Sequence, residues 1–325
     1  MQKVLVAPLD WGLGHYTRCI PVIHQLLQQN NRVIVAASGA GAELLKAEFP
    51  WLSFLDIPSY AIRYPVKGNW FLWKMMLQLP AIYRSASNEN RWLKEMQNQL
   101  RFDMVISDNR LGLFHPSIKS IYLTHQLAVQ TGHRITDWMA QKLHYHFIQQ
   151  FSECWVPDYE GSNNLAGALS HPDVMPKIPV KYIGPLTRFV RMSVEKKYDT
   201  AYVLSGPEPQ RTIFEKLIEK HIHDSNETIA LVRGLPEQKG ATLSLPETAD
   251  VFWHLPSHQL NELMSSSRKI VVRSGYSTLM DLEHIDAEVC LVPTPGQTEQ
   301  EYLAIYHAKK EKYHSVSQEL WGKEG

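Results

Sequence analysis

The first candidate catalytic residue of this sequence is a histidine that directly follows a glycine-rich turn. In DWGLGHYTR, Gly12 and Gly14 precede His15. An apolar run over 3–8 comes before the turn, and apolar residues at helical spacing follow over 17–29. A strand, a glycine turn and a helix commonly cradle an anionic or sugar ligand. We therefore predict that His15 faces a ligand as a general base, the alternative being a histidine that caps the helix start.

The glycine turn does not match the dinucleotide fingerprint. That fingerprint has a third glycine three residues after the second, which allows a helix to pack closely on a strand. Thr17 stands at that position here, and no acidic residue ends the second apolar run at 33–37. We expect the turn to bind a ligand other than NAD.

Two polar residues follow apolar runs of the first half. Asp108 comes at the end of FDMVIS, and His125 follows IYLT. Asp108 either orients and charge-stabilises His15 or caps the next turn. His125 is either a ligand-facing residue at a strand end or an ordinary polar strand terminus. We take His15 and Asp108 as the candidate catalytic residues.

A second group of candidate residues lies in the block over 271–304. A strand is predicted to end at Arg273, Ser274 and Gly275 to form a turn, and a helix to begin near Ser277. The free N–H groups and positive dipole end of such a helix suit a diphosphate. Asp281 falls about one turn into this helix, where its carboxylate could accept both hydroxyls of a ribose.

The same block ends on two more hydrogen-bonding side chains. In PTPGQTEQEY, Gln300 and Glu301 stand at the start of another predicted helix. An amide and a carboxylate at this place suit the hydroxyls of a hexose.

Apolar runs alternate with helical patterns along the whole chain. The runs that we expect to be strands span 3–8, 33–37, 53–57, 102–107, 119–124, 153–156, 200–205, 228–232, 250–254, 269–273 and 288–292. Strands separated by helices predict parallel sheets with right-handed crossovers. Because the pattern occurs twice, we predict an α/β fold of two doubly wound, Rossmann-like domains that face a cleft.

The predicted boundary lies in the proline- and glycine-rich segment over 179–189 and the charged segment after it. We expect a hinge over 185–197, an N-terminal domain over 1–187 and a C-terminal domain over 188–325. A last helix over about 302–320 is expected to pack back on the N-terminal domain.

The block over 271–304 resembles the donor half of inverting GT-B glycosyltransferases, and most of all glycosyltransferase family 28. That family includes the enzyme that adds N-acetylglucosamine to the undecaprenyl lipid of peptidoglycan synthesis. The resemblance implies that Asp281 binds the nucleotide ribose and that Gln300, Glu301 and Tyr302 contact the donor sugar. Glu301 departs from the second glutamine of the family pattern.

The resemblance extends to two further segments. YVLSGPEPQRTIFEKL, over 202–217, is similar to the first strand and phosphate loop of the donor domain, which implies Gly206 and Arg211 near the diphosphate. GLGH is similar to the glycine loop of the acceptor domain, whose histidine is a base or orients the acceptor. The implied donor-binding residues are Gly206, Arg211, Arg273, Ser274, Gly275, Ser277, Thr278, Asp281, Gln300 and Glu301. The implied acceptor side comprises Gly12, Gly14 and His125.

The predicted function is inverting transfer of a sugar from a nucleotide diphosphate sugar, UDP-linked, to a hydroxyl acceptor of a lipid-linked or cell-envelope kind. No Asp-x-Asp metal motif and no Glu-rich segment of the retaining enzymes stand in the sequence, so we expect no metal and no cofactor. Two alternatives stay open: a UDP-sugar epimerase of the same fold, and a non-catalytic sugar-nucleotide-binding subunit of a membrane-associated transferase.

Composition narrows the class of protein. Lys and Arg together number 33 of 325 residues, as do Asp and Glu, which argues against a nucleic-acid binder that relies on overall basicity. Three widely spaced cysteines predict reduced thiols in a cytoplasmic protein. The N-terminus enters a predicted strand at once, so we expect no signal peptide.

One aromatic and basic segment suggests contact with a membrane surface. NWFLWKMMLQLPAIYR, over 69–84, has only a narrow polar stripe, and basic residues surround it. Such a segment suits peripheral binding at the inner face of the cytoplasmic membrane. A core helix or a lid over the acceptor site is the alternative.

Overall fold

The computed structural model describes residues 1–10, 12–59, 71–129, 134–235 and 240–321, and of residues 40, 71–79, 134 and 135 it describes the backbone alone. The chain divides into two compact units, Met1–Leu186 and Thr187–Gly325. The prediction about 69–84 falls largely on residues outside the described side chains.

The first unit is built on a seven-stranded parallel sheet. Its strands are β1 (Lys3–Pro8), β2 (Arg32–Ala36), β3 (Ser53–Leu55), β4 (Met104–Asp108), β5 (Lys119–Leu123), β6 (Glu153–Val156) and β7 (Val180–Tyr182). Its helices are α1 (Leu13–Gln28), α2 (Gly39–Glu48), α3 (Phe71–Leu100) and α4 (Arg134–Ile148). The strand order is β3-β2-β1-β4-β5-β6-β7, and every pairing is parallel.

The second unit repeats this architecture with six parallel strands. They are β8 (Tyr198–Val203), β9 (Ile229–Val232), β10 (Ala249–Phe252), β11 (Ser267–Val272), β12 (Glu288–Leu291) and β13 (His314–Ser315). Its helices are α5 (Gln210–Ile222), α6 (Ser257–Ser265), α7 (Tyr276–Leu282) and α8 (Thr298–Lys309). The order is β10-β9-β8-β11-β12-β13.

Each sheet has one point where the strand order reverses. In the first unit the chain leaves β1 for β2 and β3 and then returns to β4 on the other side of β1. In the second unit the reversal lies between β8 and β11. The carboxyl ends of the two strands at such a reversal open a crevice, which is the usual ligand position in doubly wound folds.

The apolar strand runs are buried because helices cover both faces of a parallel sheet. One core cluster packs Leu5, Ile34 and Val105 of the first sheet against Leu93 of α3. In the second unit, Tyr202, Leu231 and Val271 meet Phe214 and other side chains of α5 in the same way. These two cores hold the strand ends that carry the candidate site residues.

The C-terminal helix is shorter than expected and starts earlier. We predicted a helix over about 302–320, whereas α8 spans Thr298–Lys309 and β13 follows it. The helix ends because Glu311 adopts a left-handed φ of 54° and Lys312 N–H donates to the His307 carbonyl at 3.1 Å. This is the hydrogen-bonding pattern of a Schellman cap, which normally has glycine at the left-handed position.

Within the part of the chain that the structure describes, there is no helix long and apolar enough to cross a membrane.

Candidate functional site

His15 and Asp108 meet at the reversal point of the first sheet. Asp108 is the last residue of β4, and its register partner on β1 is Pro8. The chain turns through Gly12 after β1, and α1 then places His15 in its first turn. Nδ1 of His15 lies 3.2 Å from Oδ2 of Asp108, whose carboxylate is fully buried. The two candidate catalytic residues are therefore in contact.

Arg18 joins this pair from the next turn of α1. Its Nε donates to Oδ2 of Asp108 at 2.8 Å, and its Nη2 donates to Oδ1. The same Nη2 lies 2.8 Å from Nδ1 of His15, and Nη1 lies 2.9 Å from Nδ1 of His125. Arg18 therefore connects three residues that the sequence singled out. Its position three residues after His15, on the same helical face, is the signal that could have found it.

Burial and the neighbouring charges shift the pKa values of the residues in this cluster. Burial alone would raise the pKa of Asp108, but the Arg18 guanidinium and His15 bring it down to about 2. Burial lowers the pKa of His15 below its ordinary 6.5; Asp108 opposes this shift, and Arg18 adds to it. Burial also raises the pKa of the Cys19 thiol, whose Sγ lies 3.7 Å from Asp108. At neutral pH the cluster holds a carboxylate, a guanidinium, a neutral thiol and an uncharged His15.

A cavity of about 470 Å³ lies beside the first turn of α1. Its walls come from the loop after β1, the starts of α1 and α2, and one residue after β3: Asp10, Gly12, Leu13, Tyr16, Ser38, Gly39, Gly41 and Ser59. Of the residues that the structure describes, this lining offers hydroxyl groups, glycine backbone and the Asp10 carboxylate. Gly12 is one of the predicted acceptor-side residues, and Gly14 follows it within α1. Such a lining suits a ligand that bears hydroxyl groups.

The Asp10 carboxylate of this cavity contacts an exposed serine on one side and a buried arginine on the other. Ser59 Oγ donates to Oδ2 of Asp10, and Arg110 lies 3.6 Å from Oδ1. Arg110 in turn donates to Glu89 at 2.7 Å and to the Pro8 carbonyl at 2.8 Å. These contacts orient the Asp10 carboxylate in the wall of the cavity.

In the second unit, the turn after β11 is tied to the start of α8. Ser274 Oγ donates to the Gln300 carbonyl at 2.8 Å. The side-chain oxygen of Gln300 accepts from the Thr294 N–H at 2.9 Å, and Glu301 accepts from the Gly296 N–H at 2.7 Å. The structure thus brings Ser274, Gln300 and Glu301 together, and the last two shape the loop before α8.

The remaining turn residues lie at the reversal point of the second sheet. Gly206 follows β8 with a φ of +101°, a conformation that favours glycine. Gly275 is the residue before α7, and Ser277 and Thr278 lie half-buried in its first turn. These two loops therefore lie beside the crevice in which doubly wound sheets usually bind a ligand.

Three of the predicted donor-binding residues are charged and buried, and each of them has partners within the protein. Nη1 of Arg273 donates to two carbonyls at 3.1 and 3.2 Å, and burial lowers the pKa of its guanidinium to about 10. Arg211 pairs with Glu208 at 2.6 Å and with Glu215 at 3.0 Å. The carboxylate of Asp281 accepts from Arg188 Nε at 3.0 Å. Their roles toward a nucleotide stay predictions.

His144 and His146 lie two residues apart in α4 and have different surroundings. Among the described residues, no group of three or more His, Cys, Asp or Glu side chains is placed to hold a metal ion. His144 bonds to the Tyr122 hydroxyl through Nε2 at 3.2 Å, and burial lowers its pKa to about 4. His146, two residues on in α4, contacts the rings of Tyr83 and Phe147 instead.

The sequence matches no protein-family model and is not similar to any curated protein. Solved structures are similar to it in fold. The calicheamicin glycosyltransferase CalG4 has a TM-score of 0.68 at 13% identity, over 99% of this chain and 87% of that one. SnogD, a glycosyltransferase from Streptomyces nogalater, has a TM-score of 0.65 at 14% identity, over 98% and 88%.

A plant structure belongs to the same group of neighbours. Arabidopsis thaliana UGT89C1, complexed with UDP-L-rhamnose, has a TM-score of 0.61 at 14% identity, over 98% of this chain and 86% of that one. At these identities the comparisons establish the fold. The seven-stranded and six-stranded parallel sheets are the two Rossmann-like domains of the GT-B fold, as predicted.

Proposed function

We propose that the protein is a glycosyltransferase that moves a sugar from a nucleotide diphosphate sugar to a hydroxyl group of an acceptor. The contact between His15 and Asp108 at the reversal point of the first sheet carries this proposal. The GT-B neighbours, which are glycosyltransferases by name, support it. The donor block over 271–304 supports it from the second unit.

The reaction that this arrangement suits is a direct displacement. His15 takes the proton of the acceptor hydroxyl while the hydroxyl oxygen forms a bond to C1 of the sugar. The bond from C1 to the diphosphate breaks on the opposite face, so that the nucleoside diphosphate leaves and the anomeric configuration inverts. Such a base contributes roughly 10²–10⁴ in rate.

Stabilisation of the leaving diphosphate is the larger contribution in reactions of this kind. We assign it to the backbone N–H groups of the loops at Gly206 and Ser277, which require no metal. Gln300 and Glu301 serve the donor sugar, and Gly12, Gly14 and His125 line the acceptor side. The family 28 resemblance favours a UDP-linked donor.

Binding of the donor can be tested before the acceptor is known. We expect UDP-sugars to raise the melting temperature of the purified chain, and GDP- and dTDP-sugars to raise it less. Stabilisation by none of the three classes contradicts the proposal.

Turnover tests the assignment of His15. His15→Ala should lower kcat by roughly 10²–10⁴ at saturating acceptor, because the base is lost. His223→Ala is the matched control, since His223 is exposed at the end of α5 and should keep full activity. Unchanged turnover of His15→Ala contradicts the base role. Release of UDP from the donor without any acceptor would point to the epimerase alternative.

The lipid-linked acceptor is a separate part of the proposal. It rests on the aromatic and basic segment over 69–84 of the sequence. Flotation of the full chain with liposomes that contain anionic lipid should recover the protein in the lipid fraction. Recovery only at the bottom of the gradient, with or without anionic lipid, contradicts membrane contact.

A further inference from the structure

Arg18 is the most highly connected side chain of the His15 site. It contacts both oxygens of Asp108, Nδ1 of His15 and Nδ1 of His125 through its three guanidinium nitrogens. Its side chain is almost completely buried, so these contacts are not screened by water. A pair of histidine and aspartate alone therefore does not describe this site.

The two partners of His15 Nδ1 make opposite demands on its proton. A guanidinium only donates, so the 2.8 Å contact with Arg18 requires Nδ1 to accept. A carboxylate only accepts, so the 3.2 Å contact with Asp108 requires Nδ1 to donate. An uncharged imidazole satisfies one partner or the other, depending on its tautomer. Nδ1 thus has a partner in both neutral forms.

The charged form of His15 is less well accommodated. In the imidazolium both ring nitrogens donate, so Nδ1 can no longer accept from Arg18 and faces its positive charge instead. Asp108 would favour the imidazolium, but the same guanidinium neutralises Asp108 through two hydrogen bonds. Among the described residues, His125, after β5, and Cys19, on α1, are further titratable groups that contact this cluster. Neither supplies a negative charge at neutral pH, because burial keeps the Cys19 thiol protonated.

We propose that Arg18 is a positioning residue that keeps His15 uncharged, because its two hydrogen bonds neutralise Asp108 and its guanidinium, 2.8 Å from Nδ1, opposes a positive charge on the ring. Its importance for the reaction rests on the proposed function, in which His15 takes the acceptor proton at Nε2 in the uncharged tautomer whose Nδ1–H donates to Asp108. Asp108 still orients the ring, and Arg18 opposes the protonation of His15 that Asp108 would otherwise favour. The direction of the His15 pKa, below its ordinary value, agrees with this assignment.

Titration of His15 by NMR tests the proposal without substrate. The full chain is labelled at its histidines, and the His15 signal is identified by its loss in His15→Gln. We expect His15 to titrate below 6.5 in the unmodified protein. Arg18→Met should move this titration upward, and Arg18→Lys should move it less because the charge is kept. Arg91→Met, which removes an exposed arginine of α3, is the matched control and should leave it unchanged.

Two results would overturn the proposal. One is titration of His15 at or above 6.5 in the unmodified protein, a measurement that does not depend on whether any variant folds. The other is an unchanged titration in folded Arg18→Met.

A double variant covers the case in which Arg18→Met does not fold. Arg18→Met leaves the buried Asp108 carboxylate without its cation, whereas Arg18→Met/Asp108→Asn removes both charges. Its His15 should titrate lower than in Arg18→Met, since the carboxylate that favours the imidazolium is gone.

The activity profile separates positioning from a structural role. If Arg18 sets the charge of His15, the acid limb of the pH dependence of kcat/KM moves to higher pH in Arg18→Met. A loss of structure alone lowers the plateau and leaves the limb in place, which would contradict the proposal. Since the NMR titration needs neither donor nor acceptor, a missing transfer activity contradicts the proposed function and leaves this inference standing.

Discussion

The buried carboxylate of Asp281 and the half-buried guanidinium of Arg188 form an ion pair within the second unit. Arg188 Nε donates to Oδ2 at 3.0 Å, its backbone N–H donates to Oδ1 at 3.2 Å, and Thr187 Oγ1 donates to the same oxygen at 3.2 Å. The resemblance implies that the Asp281 carboxylate binds a ribose, and the structure shows that it also attaches the segment at 187–188 to α7. A variant of Asp281 therefore affects two properties that have to be measured separately.

We expect Asp281→Ala to raise the KM for the donor about tenfold or more, because hydrogen bonds to a charged group contribute about 1.5–3 kcal/mol. It should also lower the melting temperature, since Arg188 loses its partner. Arg188→Ala is the matched comparison and should lower the melting temperature with a smaller change in KM. Equal changes of KM in the two variants would mean that Asp281 only anchors the segment at 187–188.

The Asp108 carboxylate should make the free energy of unfolding depend on pH in the acid range. Its pKa is about 2 in the folded protein, against 3.8 ordinarily. The stabilisation is present in full above 3.8 and is lost as the pH falls through 2, by roughly 2 kcal/mol. Urea unfolding at a series of pH values would measure this loss. The loss should disappear in Asp108→Asn, and an equal slope in both proteins contradicts the prediction.

Gly41 allows α2 to approach α1 closely. A Cβ at this position would lie 2.1 Å from the ring of Tyr16, which lines the cavity and donates to the Ser38 carbonyl at 3.0 Å. Gly41→Ala should therefore lower the free energy of unfolding by about 1–3 kcal/mol. Gly161→Ala is the control, because nothing lies within 4 Å of its added Cβ. Thermal denaturation of both variants checks the difference, and similar melting temperatures would refute it.

The left-handed Glu311 at the end of α8 is a place where the protein should gain stability. A non-glycine residue in this conformation costs about 1–2 kcal/mol, and Glu311 is exposed. Glu311→Gly should raise the free energy of unfolding by up to about 1 kcal/mol, part of the gain being lost to the greater chain entropy of glycine. Asn30→Gly, after α1, should gain less because asparagine tolerates this conformation better. Denaturant unfolding that ranks the two variants the other way contradicts this explanation.

Much of the fold was accessible from local patterns. Apolar runs such as 3–8 and 153–156 coincide with β1 and β6, because a strand buried on both faces needs a continuous apolar segment. β7 and β13 were missed, since these strands of three and two residues contain no continuous apolar run. The end of α8 was missed because its cap has glutamate where the sequence signal is glycine.

The candidate site was accessible only in part. The glycine turn pointed to His15, and the end of an apolar run pointed to Asp108, because both are features of neighbouring residues. Their contact depends on β4 lying beside β1, a pairing between segments about a hundred residues apart. Arg18 is the last residue of the quoted stretch DWGLGHYTR, but its role became evident only from the positions of its three partners.

The sequence by itself determined the two repeated patterns of strands and helices, and with them two doubly wound domains, because hydrophobic periodicity is a local property. Only the tertiary structure decided which distant charges meet. It placed Arg18 against Asp108, and it paired Asp281 with Arg188 and Arg110 with Glu89. The physical reason is that the charge state of a buried group depends on the few groups within hydrogen-bonding distance, and folding brings these together from distant parts of the chain.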